Sequence, residues 1–175
     1  MRDARMTDVD VTTPQIGRRL DAIDRRILTL IQENSSLSVA DIGDIVGLSA
    51  TPCWKRIKRL EGDGVIVGKV ALVDPSSVGL DMTIFLDVQS DDHSEAWLRK
   101  FSSVVKDMPE VVACYRMAGD VDYCLRIVVS DASEFEEFHR QLNGLLRIKS
   151  TRPHYVVKTL KSSTSLPIAP EPAQR

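Results

Sequence analysis

The chain has 175 residues, room for one ordinary domain or two small ones, and with 43% hydrophobic and 27% charged residues it is expected to fold. Its net charge of −2 does not by itself point to nucleic acid, and no apolar run approaches the roughly 20 residues that span a bilayer. Cys53, Cys114 and Cys124 are odd in number and far apart, which speaks against a disulfide framework and for a reducing cytoplasm. His93, His139 and His154 are scattered without zinc-ligand spacing, so no metal and no other cofactor is expected.

Residues 1–17 are polar, lack the apolar core of a signal peptide and read as a loose, disordered tail. Over 20–33, Leu20, Ile23, Ile27 and Ile31 recur at helical spacing with Leu28 beside them, and Asn34 to Ser36 closes the helix. Ser38, with Asp41 three residues on, starts a short second helix over about 39–46, with Val39, Ile42 and Val46 inward and Gly47 as its C′ residue. Ser49 caps a third helix over about 50–62, with Pro52 in the first turn and Cys53, Ile57 and Leu60 as the apolar stripe. Small residues at Gly43 and Gly47 permit close helix packing. The three helices define a helix-turn-helix module over 18–66. The β-rich stretch from Val65 to Pro75 is a wing hairpin or a connecting strand, and 67–80 is assigned to the linker.

The second half alternates between periods. Residues 82–90 read as a strand with Ile84, Leu86 and Val88 on one face, and 94–107 as a helix carrying Trp97, Phe101, Val104 and Val105. Strands follow over 111–117 and 122–129, then a helix marked by Phe135, Phe138, Leu142 and Leu146, then a strand over 154–160. The order β-α-β-β-α-β predicts an α+β chain whose second domain, 81–167, is a ferredoxin-like split βαβ unit. The Pro-rich residues 168–175 read as a disordered tail.

Three features carry chemistry. On the third helix, at about 100° per residue, Thr51, Lys55, Lys58 and Arg59 lie opposite the apolar stripe, with Trp54 and Arg56 on the flanks. A basic, hydroxyl-bearing front on a braced helix is what a major groove admits. Ser49, Thr51, Pro52, Trp54, Lys55, Arg56, Lys58 and Arg59 are therefore the DNA-binding candidates; the competing reading is a solvated face of an ordinary surface helix. The second feature is the turn from Met117 to Tyr123, where Asp120 and Asp122 stand with Gly119 between two strands. A carboxylate there suits an ammonium group and tight-turn amides suit a carboxylate, although Gly-Asp is also good turn chemistry without a ligand. Third, two helices cover one side of a four-stranded sheet, so the open side is expected to bury itself against another chain. Dinucleotide-binding, phosphate-loop and nucleophile-elbow motifs are absent and no catalytic residue is assigned. Cys114 and Cys124 fall on strands, where structural thiols are expected rather than nucleophiles.

Taken together, Leu20-Asp21…Asp24…Ile27-Leu28, Leu48-Ser49-Ala50-Thr51-Pro52, Arg56-Ile57-Lys58-Arg59-Leu60-Glu61…Gly64-Val65-Ile66, Asp74-Pro75…Gly79, Gly119-Asp120-Val121-Asp122-Tyr123 and Lys161…Leu166-Pro167 resemble the leucine-responsive regulator/AsnC (Lrp/AsnC) transcription factors over about 20–167. The resemblance implies a winged helix-turn-helix that reads double-stranded DNA with the third helix. It also implies a ferredoxin-like ligand-sensing domain, and homodimers that assemble further, often to octamers, with an amino acid held between dimers. By position it assigns Met117, Gly119, Asp120, Val121, Asp122 and Tyr123 to the effector pocket, together with Arg152 and His154. Where the family's last strand opens with threonine-type residues, Arg152-Pro153-His154 stands here. Thr51 to Ile57 and Tyr115 to Tyr123 look like a subgroup tied to sulfur amino acids, which makes cysteine or methionine the expected effector. The resulting expectation is a cytoplasmic regulator of amino-acid metabolism. The alternative is a small-molecule-binding regulatory subunit of an enzyme, without DNA binding.

Overall fold

A carboxylate and a hydroxyl start the first two helices. In the computed structural model, which describes residues 20–168, Asp21 caps α1 (Ala22–Glu33) and Ser38 caps α2 (Val39–Val46), each in a reciprocal capping box with the acid three residues on. Such boxes satisfy amides that the first helical turn leaves unpaired. Gly47 ends α2 in the left-handed conformation at φ 79°, which a glycine adopts without penalty. Three residues later α3 (Ala50–Gly62) begins. Ile27, Leu28, Ile31, Ile42, Val46, Cys53, Ile57 and Leu60 bury themselves together as the core of this unit. Gly43 is what lets the turn close: a Cβ there would stand 2.7 Å from the Leu48 carbonyl oxygen. Gly47, by contrast, has open space around it, so its value lies in backbone conformation rather than close packing.

The second unit spans Leu72–Leu160, and the first comprises the chain up to Ala71 together with Lys161 onward. Four antiparallel strands, β1 (Met82–Gln89), β2 (Val111–Arg116), β3 (Tyr123–Val129) and β4 (Ser150–Tyr155), pair in the order β2-β3-β1-β4. With α4 (Glu95–Asp107) between β1 and β2 and α5 (Ala132–Leu145) between β3 and β4, the order is the expected split βαβ arrangement. Alternation of period two sends Ile84, Leu86 and Val88 to one face, where they meet Leu125, Ile127, Phe101, Val105, Phe138 and Leu142 in the core.

Four expectations need correction. The last strand runs over Ser150–Tyr155 rather than 154–160. Pro153 hid its beginning, but β4 is an edge strand and its proline sits opposite Leu86 without costing an internal ladder. Residues 65–75 form neither hairpin nor strand within the chain, and Val67, Val70, Leu72 and Val73 are exposed; high β-propensity does not make a strand without a partner edge. Ile168, assigned to a disordered tail, packs against the helix-turn-helix core, while 1–17 and 169–175 lie outside the described residues. Finally, the open sheet face is more polar at its centre than the valine pairs implied: Asp87, Cys124, Arg126, Arg152 and His154 line it, and Val156 and Val157 lie beyond the strand.

Candidate nucleic-acid interface and effector turn

The front of α3 is divided between free and committed cations. Thr51, Pro52, Trp54, Lys55, Lys58 and Arg59 are exposed, whereas Arg56 is partly covered. Arg56 Nη1 donates to Asp21 Oδ2 at 2.6 Å and to Asp24 Oδ1 at 2.8 Å, and Arg59 Nη2 donates to the other Asp24 oxygen. The Asp24 side chain is 2% exposed, so a buried carboxylate of α1 fastens two arginines of α3. Burial pushes the Asp21 carboxyl up, but the Asp24 amide and the Arg56 guanidinium outweigh it and hold it below its ordinary range. Hydrogen bonds from Arg56 to Asp21 and Asp24 raise the arginine in turn. Lys58 pairs with Glu61 at 2.7 Å on the helix surface. Lys55 makes no ion pair among the described residues, and Trp54 is 50% exposed beside it.

The helix N-terminus differs from its neighbours. Ser49 occupies the cap position but makes no side-chain capping hydrogen bond, and no acid lies in the first turn of α3. Both α1 and α2 carry an acid there. An uncompensated positive helix end next to Thr51 and Lys55 is a favourable place for a phosphate.

In the second unit the turn after β2 is tied to the end of β1. Met117 N–H donates to the Asp122 carbonyl at 2.8 Å, Asp122 N–H to Val88 at 3.2 Å, and Ser90 N–H to Asp122 Oδ2 at 2.9 Å. Gln89 donates through Nε2 to the Asp120 carbonyl and accepts from Ser150 Oγ at 2.7 Å, linking the turn to the start of β4. Gly119 has φ 136°, a conformation that side chains resist. Met117 and Asp120 are exposed and Val121 is half-buried. His93 stands 3.9 Å from Asp122, and Lys149 pairs with Asp91 at 2.9 Å. Tyr123 is turned the other way: it is 4% exposed and packs on Phe101 at 4.3 Å and Trp97 at 5.5 Å between ring centres. Arg152 and His154 are not at the turn but on the open sheet face, where Arg152 is opposite Asp87 and His154 Nε2 meets Asp87 Oδ2 at 2.9 Å.

Sequence reasoning therefore missed Asp21 and Asp24 under the recognition helix, and Gln89 and Ser90 under the turn. Their partners lie 31 to 35 residues away, so strand register and helix packing, not local spacing, bring them together. Burial, and secondarily Cys124, pushes the Cys114 thiol up to about 11, and burial and then Asp87 raise Cys124. Protonated thiols are poor nucleophiles. Among the described residues no group of three or more His, Cys, Asp or Glu side chains is arranged to hold a metal, and no helix is long and apolar enough to cross a membrane.

A helix-turn-helix with an exposed basic recognition helix, joined to a split βαβ domain with a polar turn, defines a ligand-responsive DNA-binding regulator. Residues 20–67 match the winged helix-turn-helix DNA-binding model, and residues 83–166 match the Lrp/AsnC ligand-binding domain. The chain belongs to the Lrp/AsnC family of transcriptional regulators. It is 43% identical over 150 residues to the DNA-binding transcriptional activator DecR of Escherichia coli K12, spanning 85% of this chain and 99% of that protein. An AsnC family regulator from Agrobacterium tumefaciens superposes with a TM-score of 0.81 at 45% identity, over 84% of this chain and 96% of that one. A Neisseria meningitidis transcriptional regulator solved with L-Met gives a TM-score of 0.81 at 32% identity, over 85% and 97% of the two chains.

Proposed function

We propose that α3 reads double-stranded DNA through the face formed by Ser49, Thr51, Pro52, Trp54, Lys55 and Lys58, with Arg59 at its margin and Arg56 bracing the helix from below. The observation that carries this is the division of the helix: an apolar back buried at Cys53, Ile57 and Leu60, and a front on which Lys55 and Thr51 stand exposed beside an uncompensated helix N-terminus. The protein then acts in the cytoplasm as a homodimer meeting through its open sheet faces and assembling further to a species such as an octamer. Two recognition helices per dimer fit a two-fold-related operator.

The effector in this reading is an amino acid, held near the Met117–Asp122 turn. The turn presents Asp120, Asp122 and backbone groups around Gly119, and the related Neisseria regulator was solved with L-Met. Methionine or cysteine is the first choice. The effector changes DNA binding only by favouring one assembly or helix spacing over another.

Fluorescence anisotropy with duplexes from the protein's own upstream region, at several salt concentrations and with each amino acid, tests both parts. Binding that survives random competitor and weakens with salt is expected, together with a shift caused by methionine or cysteine. Lys55→Ala should lower affinity and reduce the logarithmic salt slope by about 1, as loss of one phosphate contact predicts. Binding equal to that of random duplex would remove the DNA reading and favour a ligand-binding regulatory subunit.

A further inference from the structure

Neither the recognition face nor the effector turn uses the residues after β4. Beyond Val156 the chain is exposed, with Val157 at 98% and Leu160 at 88%, and then it docks. From Lys161 it belongs to the helix-turn-helix unit. Leu166 N–H donates to Gln32 Oε1 at 2.7 Å, Gln32 Nε2 points back at the Leu166 carbonyl at 3.4 Å, and Ser165 Oγ donates to the Gln32 carbonyl at 3.4 Å. One side-chain amide thus meets both backbone groups of a single residue, as a neighbouring strand would. Two residues further on, Ile168 packs against the core of α1 to α3 and lines a cleft of about 380 Å³ with Ala22, Thr29, Leu30 and Ile45. Pro167 lies between the two contacts and limits the freedom that docking must remove.

We infer that Ser163–Ile168 is a clamp that fastens the helix-turn-helix unit at a second point, so that the chain crosses between its two units at Leu160–Lys161 as well as at Ala71–Leu72. A unit held by one flexible connection swivels; a unit held by two keeps a narrower range of orientations. The clamp therefore raises the effective concentration of the second recognition helix at the second half-site once the first has bound. This function rests on the reading of the protein as a DNA-binding dimer. Its signature is specific: loss of the clamp weakens binding to paired half-sites and leaves binding to a single half-site unchanged.

The test uses full-length protein. Gln32→Ala removes both amide contacts, Gln32→Glu keeps an acceptor for the Leu166 N–H, and Ile168→Ser removes the apolar anchor. Hydrogen exchange over 163–168 should quicken at least about tenfold in Gln32→Ala and Ile168→Ser and less in Gln32→Glu, with the helical circular dichroism signal retained. Affinity for an upstream duplex with two footprinted half-sites should fall at least about fivefold in the two disruptive variants, against less than about twofold for a duplex with one. Unchanged exchange, unchanged affinity, or equal weakening on both duplexes each overturns the clamp. Wild-type protein that binds the upstream duplex no better than random DNA is a distinct result: it removes the DNA reading itself, and the clamp's function with it.

Discussion

Asp24 holds two arginines of α3 with one buried carboxylate, and that ties α3 to α1. Removing it leaves Arg56, which is 26% exposed, with Asp21 alone, and takes the carboxylate from Arg59, which is 44% exposed and re-enters water more easily. Asp24→Ala is therefore expected to cost about 2–3 kcal/mol, below the upper range for breaking a fully buried pair; calorimetric unfolding against wild type measures it. Asp21 adds a pH dependence of known sign. Its folded-state carboxyl lies below the ordinary value of 3.8, so its contribution is present above that value and is lost as the pH falls through the folded one. Denaturant melts between about pH 5 and pH 2 should be steeper in pH for wild type than for Asp21→Asn, and coincident profiles would assign the acid sensitivity elsewhere. Gly43→Ala places a methyl group against the Leu48 carbonyl oxygen at 2.7 Å, backbone that has no rotamer to yield. A loss of about 1–3 kcal/mol, typical of overpacking, is expected in the same unfolding measurement.

At the scale of elements, the sequence made visible whatever one helix or one strand displays by itself. The apolar stripe of Cys53, Ile57 and Leu60 and the basic front of α3 follow from a single period, and the burial of Ile84, Leu86 and Val88 follows from another. The capping box at Ser38 and Asp41 was legible because its partners are three residues apart. What depends on pairing was not legible. β4 was placed four residues late because Pro153 ordinarily breaks a ladder, and only the strand order shows that it stands at an edge. Residues 65–75 have the composition of a strand, yet no edge within this chain receives them. Arg56 looked like part of a DNA-reading run until α1 supplied Asp21 and Asp24, and Tyr123 looked like part of a binding turn until α4 supplied Phe101 and Trp97.

The whole molecule leaves one broad surface whose use can be decided directly. Phe85, on the central strand β1, lies opposite Arg126 of β3 and His154 of β4, with Asp87 two residues along and Tyr115 exposed on β2. A surface that carries Asp87 together with Arg126, Arg152 and His154 offers both signs of charge, which a two-fold interface can pair across its axis because each group faces a copy of the same patch. Phe85 is 38% exposed there, an apolar centre within a polar surround, the arrangement in which an anchor contributes most. Phe85→Glu puts two new carboxylates into the contact if the sheet faces meet, one from each copy, and removes two aromatic anchors. The fold should survive, since the ring points away from the core and its neighbours Ile84 and Leu86 remain buried. Dissociation constants from sedimentation velocity should then rise at least about tenfold, equal to about 1.4 kcal/mol. An unchanged dimer would place the contact on another surface, with the exposed valines of residues 67–73 next to be substituted.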